Sequence, residues 1–357
     1  MPTSQVQEQP HDVVSVVPPA GPPASPAPRA TPRRSVLAGP IVAVVAVASA
    51  LVATRIADLP LRDPGWVTVR RLTTAAGILL AFVLLDAIVR ARRPSPREIA
   101  RVLRAKWTRG RIAIVTLAVL CFHVTYLAYR NIKSVAPLLR PGDVFDARLM
   151  DLERSLFGGR DPGVLLHDLL GTGASAHALA WVYMLFFTFI PVVLAAGLVF
   201  LPDLRAGLRL ATALSVTWLL GAGSYLVLPS IGPFHWDPAA FASLPVTPVR
   251  ELQDTLIAQR GLFLGNPGAP GAAQSIGAFA SLHTAICATA LFGAHVLRAP
   301  RIVTALLWVM AVLTVVATVY FGWHYLLDDV GGVVIAVLAL TVARLLDGFR
   351  PRARCAA

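Results

Sequence analysis

Long apolar stretches, broken by short basic or proline-bearing turns, run through this chain from residue 35 to residue 346. A helix needs about 20 predominantly apolar residues to cross a bilayer. Eight segments meet that measure: residues 35–54, 71–90, 111–130, 177–201, 208–228, 278–297, 302–322 and 326–346. The pattern predicts an all-α fold, a polytopic membrane helical bundle with about eight transmembrane helices.

Outside these runs the character changes. Residues 1–34 are rich in Pro, Ala, Ser and Thr and lack any period, which predicts a disordered cytoplasmic tail. Arg33-Arg34 ahead of an apolar run has the look of a twin-arginine export signal. The run is longer than the ~7–15 residues of a signal h-region, so it is read as a first membrane span. The chain then divides into the tail 1–34, two N-terminal spans with a basic loop at 35–110, a membrane domain at 111–347 and a basic tail at 348–357.

Composition agrees with the pattern. Of 357 residues, 56% are hydrophobic and 14% charged, against about 25% charged in a soluble domain. The three cysteines offer no disulfide framework and no thiolate metal site: Cys121 and Cys287 lie in apolar runs and Cys355 in the tail. The net charge of +13 is almost all arginine, since Lys106 and Lys133 are the only lysines. With abundant Ala and Val, that bias fits a bacterial chain from a high-GC genome. In a membrane protein such charge records topology rather than a nucleic-acid partner.

Arg92, Arg93, Arg97, Arg101, Arg104, Lys106 and Arg109 crowd the loop after the second run, which predicts that loop in the cytoplasm. The same orientation puts the Arg29/Arg33/Arg34 tail, Arg205/Arg209, Arg298/Arg301 and Arg350/Arg352/Arg354 inside as well. Arg55, Arg62, Arg70 and Arg71 fall on the opposite side, so the first hairpin carries the weakest orientation signal. The long loops 131–176 and 229–277 are then external, in the cell membrane.

Two polar clusters interrupt the later runs. Ala280-Ser281-Leu282-His283 opens the sixth, and His324-Tyr325-Leu326-Leu327-Asp328 opens the eighth. Ionisable groups at a membrane edge are costly and mark function. His324 and Asp328 are four apart, so on a helix they share a face, and the carboxylate can fix the tautomer of the imidazole. His283 is free to serve as an acid opposite. All three fall on the outer face. Lys133 and Arg140 follow the third run on that side, where two cations can clamp a phosphate or bind lipid headgroups generically.

Phe145, Leu149, Leu152 and Leu156 recur at helical spacing among charges, as in a helix lying in the outer interface or one capping the bundle. His123, His177 and His295 have no acidic partner at helical spacing and read as packing or interface residues. His167, His235, Glu251 and Asp254 read as solvated loop residues, and Asp86 as paired with Arg90.

Lys133-x6-Arg140-Pro141, Ser281-x-His283 and His324-x3-Asp328 together resemble the three signature blocks of the type 2 phosphatidic acid phosphatase superfamily. The resemblance covers residues from about 112 to 346 and implies a six-helix catalytic core with no metal and no cofactor. It implies His324 as nucleophile, Asp328 as its orienting partner and His283 as the acid for the leaving oxygen. Lys133, Arg140 and Ser281 are implied as phosphate ligands. The substrate class implied is a lipid phosphate or phospholipid in the bilayer.

Three positions depart from the usual blocks: Ala280 stands for a proline, Leu282 for a glycine and Thr318 for an arginine. Ser-Leu-His, the stretch 317–328 and that threonine resemble instead the inositol phosphorylceramide synthase branch, which transfers a phosphoinositol headgroup between lipids. The residues alone also admit two other readings, the proton relay of an ion-coupled transporter and a catalytic metal site.

Overall fold

Caps and apolar length together set the helices. In a computed structural model, residues 33–348 are described except 92, 94, 143 and 202. Residues 1–32 of the expected N-terminal tail, residues 349–357 and Cys355 lie outside the described residues. Among those described there are thirteen α-helices and no strand: α1 (Arg33–Ile56), α2 (Val67–Arg90), α3 (Pro96–Lys106), α4 (Arg109–Leu139), α5 (Asp146–Leu156), α6 (Pro162–Leu170), α7 (Ala174–Phe200), α8 (Leu204–Val227), α9 (Pro233–Trp236), α10 (Pro248–Gly265), α11 (Leu282–Val296), α12 (Arg301–Tyr320) and α13 (Leu326–Asp347). Ser95, Thr108, Asp161, Asp203 and Thr247 each accept a hydrogen bond from a first-turn amide, at α3, α4, α6, α8 and α10.

Among the described residues, seven helices are long and apolar enough to span a membrane. The sixth predicted run, 278–297, is shorter than expected, because α11 begins only at Leu282 and has 15 residues. At about 1.5 Å per residue it falls well short of a ~30 Å hydrocarbon core. Its missing N-terminal turn has other partners: the amides of Ala278, Phe279 and Ala280 are held by Ser230 O, Ser230 Oγ and Ser224 Oγ. The third run is longer than expected. α4 continues for 31 residues, so Lys133 lies within a helix and Arg140 at its C-terminal cap, not in a following loop.

α4 packs between α1 and α8, α13 between α8 and α11, and α12 against α7 and α11, while α2 leans on α7. Where α13 crosses the start of α11 the approach is close enough to exclude a side chain. A Cβ on Gly332 would lie 2.5 Å from the Ser281 carbonyl oxygen.

Charged residues gather at one end of the bundle. Asp347 at the end of α13 pairs with Arg205 at 3.0 Å and Arg209 at 2.6 Å, and Ser35 also bonds to it. Asp86 has the expected Arg90 partner at 2.8 Å and a second in Lys106, also at 2.8 Å. The starts of α11 and α13, with their histidines, lie at the other end.

Candidate active site

His324 sits in the turn between α12 and α13, two residues ahead of the helix. It does not share a helical face with Asp328, as the spacing alone suggested. Asp328 instead occupies the third position of α13, and its Oδ2 reaches back to the Tyr325 amide at 3.0 Å and to His324 Nδ1 at 3.3 Å. The carboxylate both caps the helix and orients the imidazole. Its Oδ1 is buried with no protein partner. On the far side of the ring, His324 Nε2 lies 3.0 Å from His283 Nδ1. One proton arrangement satisfies both contacts: His324 Nδ1–H donates to Asp328, and His283 Nδ1–H donates to His324 Nε2. Burial, then the charge of Lys133, pulls the pKa of His324 down to about 3, so near neutral pH the ring is uncharged and Nε2 carries a lone pair. His283 is held against Tyr183 and Phe186, with ring centroids 5.0 and 4.5 Å away.

The two histidines open onto a cavity of about 400 Å³, walled by Tyr126, Tyr129, Tyr183, Phe186, Phe187 and Trp218. Lys133 lines it too, with Nζ 3.4 Å from the Tyr225 hydroxyl and 4.4 Å from the centre of that ring. Pro137 fixes the chain beside this lysine. Having no N–H, it leaves the Lys133 carbonyl without its helical donor, and Gln274 Nε2 supplies one at 2.6 Å.

The other two expected phosphate ligands are placed differently. Arg140 donates to Leu226 O at 2.6 Å and lines a second cavity, of about 360 Å³, that also touches Lys133. Seven residues of helix separate the two cations by about 10 Å along the axis. Ser281 is fully buried. Its Oγ caps α11 by accepting from Thr284 N at 3.3 Å, its amide donates to Asp328 O at 2.9 Å, and it lines neither cavity. Thr318 is also fully buried, bonded to Val315 O at 3.0 Å. The position where an arginine was missing is therefore filled by a packed side chain.

Several supporting residues escaped the sequence reading. Asp146, fully buried, accepts from the amides of Ile231 and Gly232 at 3.0 and 2.9 Å and from the Tyr325 hydroxyl at 3.0 Å. Glu153, one residue past its second helical turn, accepts from Leu327 N at 2.9 Å. Thus α5 turns two carboxylates inward and leaves Leu152 and Leu156 exposed, and it clamps the segment that carries His324. The seven-residue spacing of the two acids, which puts them on one face, is the signal that could have found them. Burial raises the pKa of Glu153 to about 7. Asp329 ties α13 to α11 through Thr284 Oγ1 at 2.5 Å. Arg71, on the weakly oriented first hairpin, lines the aromatic cavity with its guanidinium over Tyr126 and Phe187.

Three of the other histidines make structural contacts. His167, expected in solvent, is buried with Nε2 2.8 Å from Tyr320 O. His123 Nδ1 lies 2.8 Å from Val119 O, and His295 accepts from Trp308 Nε1 at 3.2 Å. Among the described residues, no group of three His, Cys, Asp or Glu side chains is placed to hold a metal ion.

Compared with known families, residues 147–342 match the model of the PAP2 superfamily, more than half of the chain. Its range takes in His283, His324 and Asp328 and begins after Lys133 and Arg140. No curated protein and no solved structure matches the chain.

Proposed function

The chain belongs to the PAP2 superfamily, and from that membership we propose that it is a lipid-phosphate phosphatase or phosphotransferase working through a phosphohistidine at the outer membrane face. The observation that carries this reading is the line Asp328–His324–His283, in which the middle imidazole is held by a carboxylate on one nitrogen and faces a second imidazole with the other.

In the first step His324 Nε2 attacks phosphorus, an N–P bond forms and the bond to the leaving oxygen breaks. His283, as the imidazolium formed when it takes a proton from the incoming phosphate monoanion, returns that proton to this oxygen and is left a neutral imidazole. Asp328 stabilises the positive charge that develops on the His324 ring. In the second step water or a hydroxyl acceptor gives its proton to His283 and attacks phosphorus, and the N–P bond breaks. Lys133 offsets the negative charge of the phosphoryl oxygens throughout. The aromatic walls suit the apolar part of a lipid, and the bilayer delivers it. Ser281 serves in this account through its helix cap, positioning His283, and Arg140 engages the substrate beyond the reacting group.

A second reading, headgroup transfer of the phosphoinositol kind, is favoured by Leu282 and Thr318, which stand where phosphatases of the superfamily carry glycine and arginine. The same residues serve both reactions, and the acceptor separates them. Purified protein in detergent should be assayed without added metal on phosphatidic acid, a polyprenyl phosphate and phosphatidylinositol, each with and without a lipid hydroxyl acceptor. Phosphate release supports the phosphatase and a new phosphodiester lipid the transferase. Turnover of none, with activity appearing only on adding zinc or a proton gradient, contradicts both.

A further inference from the structure

A helix start leaves its first four amides without partners in the helix, so the first turn is fixed only by contacts from outside it. In α11 that turn carries His283, between Leu282 and Thr284. Leu282 is wedged against α8, where a Cβ on Gly221 would lie 2.4 Å from its Cδ2. Thr284 is tied to α13: its Oγ1 donates to Asp329 Oδ1 at 2.5 Å. The same Oγ1 accepts from Ser281 Oγ at 3.4 Å, and Ser281 Oγ accepts from the Thr284 amide at 3.3 Å. A hydroxyl has one proton to give, so the chain runs one way, from Ser281 through Thr284 to Asp329. All three residues are buried.

Thr284 follows His283 in sequence, and Asp329 follows Asp328, whose carboxylate orients His324. The helices touch here through the backbone as well, the Ser281 amide donating to Asp328 O at 2.9 Å. Stability alone does not account for the pair. Asp329 Oδ2 is buried with no hydrogen-bond partner among the described residues, and a buried polar atom left so is destabilising. Two apolar side chains of similar shape would hold the helices together without that penalty. What the hydroxyl and carboxylate add is direction, because a hydrogen bond fixes both distance and angle between the two helix starts.

We propose that Thr284 and Asp329 are positioning residues for the reaction, and that their bond holds His283 Nδ1 within reach of His324 Nε2 and of the oxygen that leaves. The proposal rests on the phosphoryl chemistry read at His324. It gives the pair no contact with substrate: loosening it shifts the acid and leaves Lys133 and the cavity as they are. The loss therefore falls on kcat rather than KM, and on substrates whose leaving group needs a proton.

The test uses the full-length protein in detergent as wild type, Thr284→Val, Thr284→Ser, Asp329→Asn and the double variant Thr284→Val/Asp329→Val. Thr284→Val should lower kcat on phosphatidic acid by about 10–10²-fold, the scale of a small misplacement, with KM little changed. On p-nitrophenyl phosphate the loss should be much smaller, because that leaving group needs no acid. Thr284→Ser keeps the hydroxyl and Asp329→Asn an acceptor oxygen, so both should recover most of the rate. Thr284→Val alone leaves the carboxylate unpaired and should melt lower. The double variant removes both partners and should melt no lower than wild type while showing the same dependence on leaving group. Equal losses on the two substrates, or a double variant with the wild-type kcat on phosphatidic acid, would overturn the proposal. A second readout needs no turnover. In protein labelled with ¹⁵N-histidine, the Nδ1–H proton resonance of His283, identified by its absence from His283→Ala, should persist in Thr284→Ser and move upfield in the double variant as its hydrogen bond lengthens. An unmoved resonance would also overturn it. If the wild type turns over neither substrate, the enzymatic reading fails and this resonance alone decides the positioning.

Discussion

His283 Nδ1 lies 3.0 Å from His324 Nε2, across 41 positions of sequence. The nitrogen assigned as nucleophile is therefore covered by the residue assigned as acid, and a phosphoryl group must come between the two rings. Once His283 carries a second proton, as an imidazolium beside the anionic phosphoryl group, its Nδ1–H is positioned for the leaving oxygen.

That relationship predicts a dependence on the leaving group. His283→Ala should lower turnover of an alkyl phosphate by about 10²–10⁴-fold, the usual worth of a positioned acid. With p-nitrophenyl phosphate, whose leaving group departs as a stable anion, the loss should be much smaller. Steady-state rates on the two substrates check this, and equal losses would remove His283 from the acid role.

Asp146 and Tyr325 should couple. Asp146→Ala strips two backbone amides and a phenol of their acceptor, at about 1–3 kcal/mol for each buried group left unsatisfied. Tyr325→Phe should cost only about 0.5–1.5 kcal/mol. Because the two residues share a bond, the double variant should lose less than the sum. Stability measured in detergent for the four proteins of the cycle tests it, and strict additivity would contradict the contact.

Glu153 gives the pH dependence. Burial, aided by the charges of Asp328 and Asp161, raises its folded pKa to about 7 from the ordinary glutamate value of 4.5. Between those values the folded state holds more protons than the unfolded one. Its contribution is therefore fully present below about 4.5 and is lost as pH rises through about 7. Glu153→Gln keeps an acceptor for the Leu327 amide and cannot ionise. From pH 5 to 8 the wild-type melting temperature should fall relative to that of the variant, whereas parallel curves would contradict the assignment.

Sidedness is open to direct labelling. Arg101 and Asp254 have side chains 71% and 62% exposed. Single cysteines at these positions, in a background lacking Cys121, Cys287 and Cys355, should react differently with an impermeant thiol reagent in intact cells. Label at Asp254 and none at Arg101 is expected. The reverse would place the histidines toward cytoplasmic substrates.

The spans were legible because bilayer length and apolar content leave a helix little freedom, and seven of the eight runs became long helices. The exception, α11, shows the limit: the amides of residues 278–280 found partners in Ser224 and Ser230, contacts that no local pattern encodes. His324 and Asp328 were legible as a pair, but the reason was a helix cap and not a shared face. Lys133 and Arg140 looked like one clamp, yet α4 continues through Pro137, with Gln274 replacing the lost donor, and sets them about 10 Å apart along its axis, so that of the two only Lys133 lines the cavity of the histidines. Asp146 and Glu153 went unread since their partners are backbone amides from distant segments.

The most direct measurement is to trap the covalent intermediate. Enzyme mixed with ³²P-labelled lipid phosphate should be denatured rapidly in alkaline detergent, because a phosphohistidine survives base and not acid. The account predicts alkali-stable, acid-labile label on the wild type and on His283→Ala, and none on His324→Ala. Label that persists on His324→Ala would contradict it.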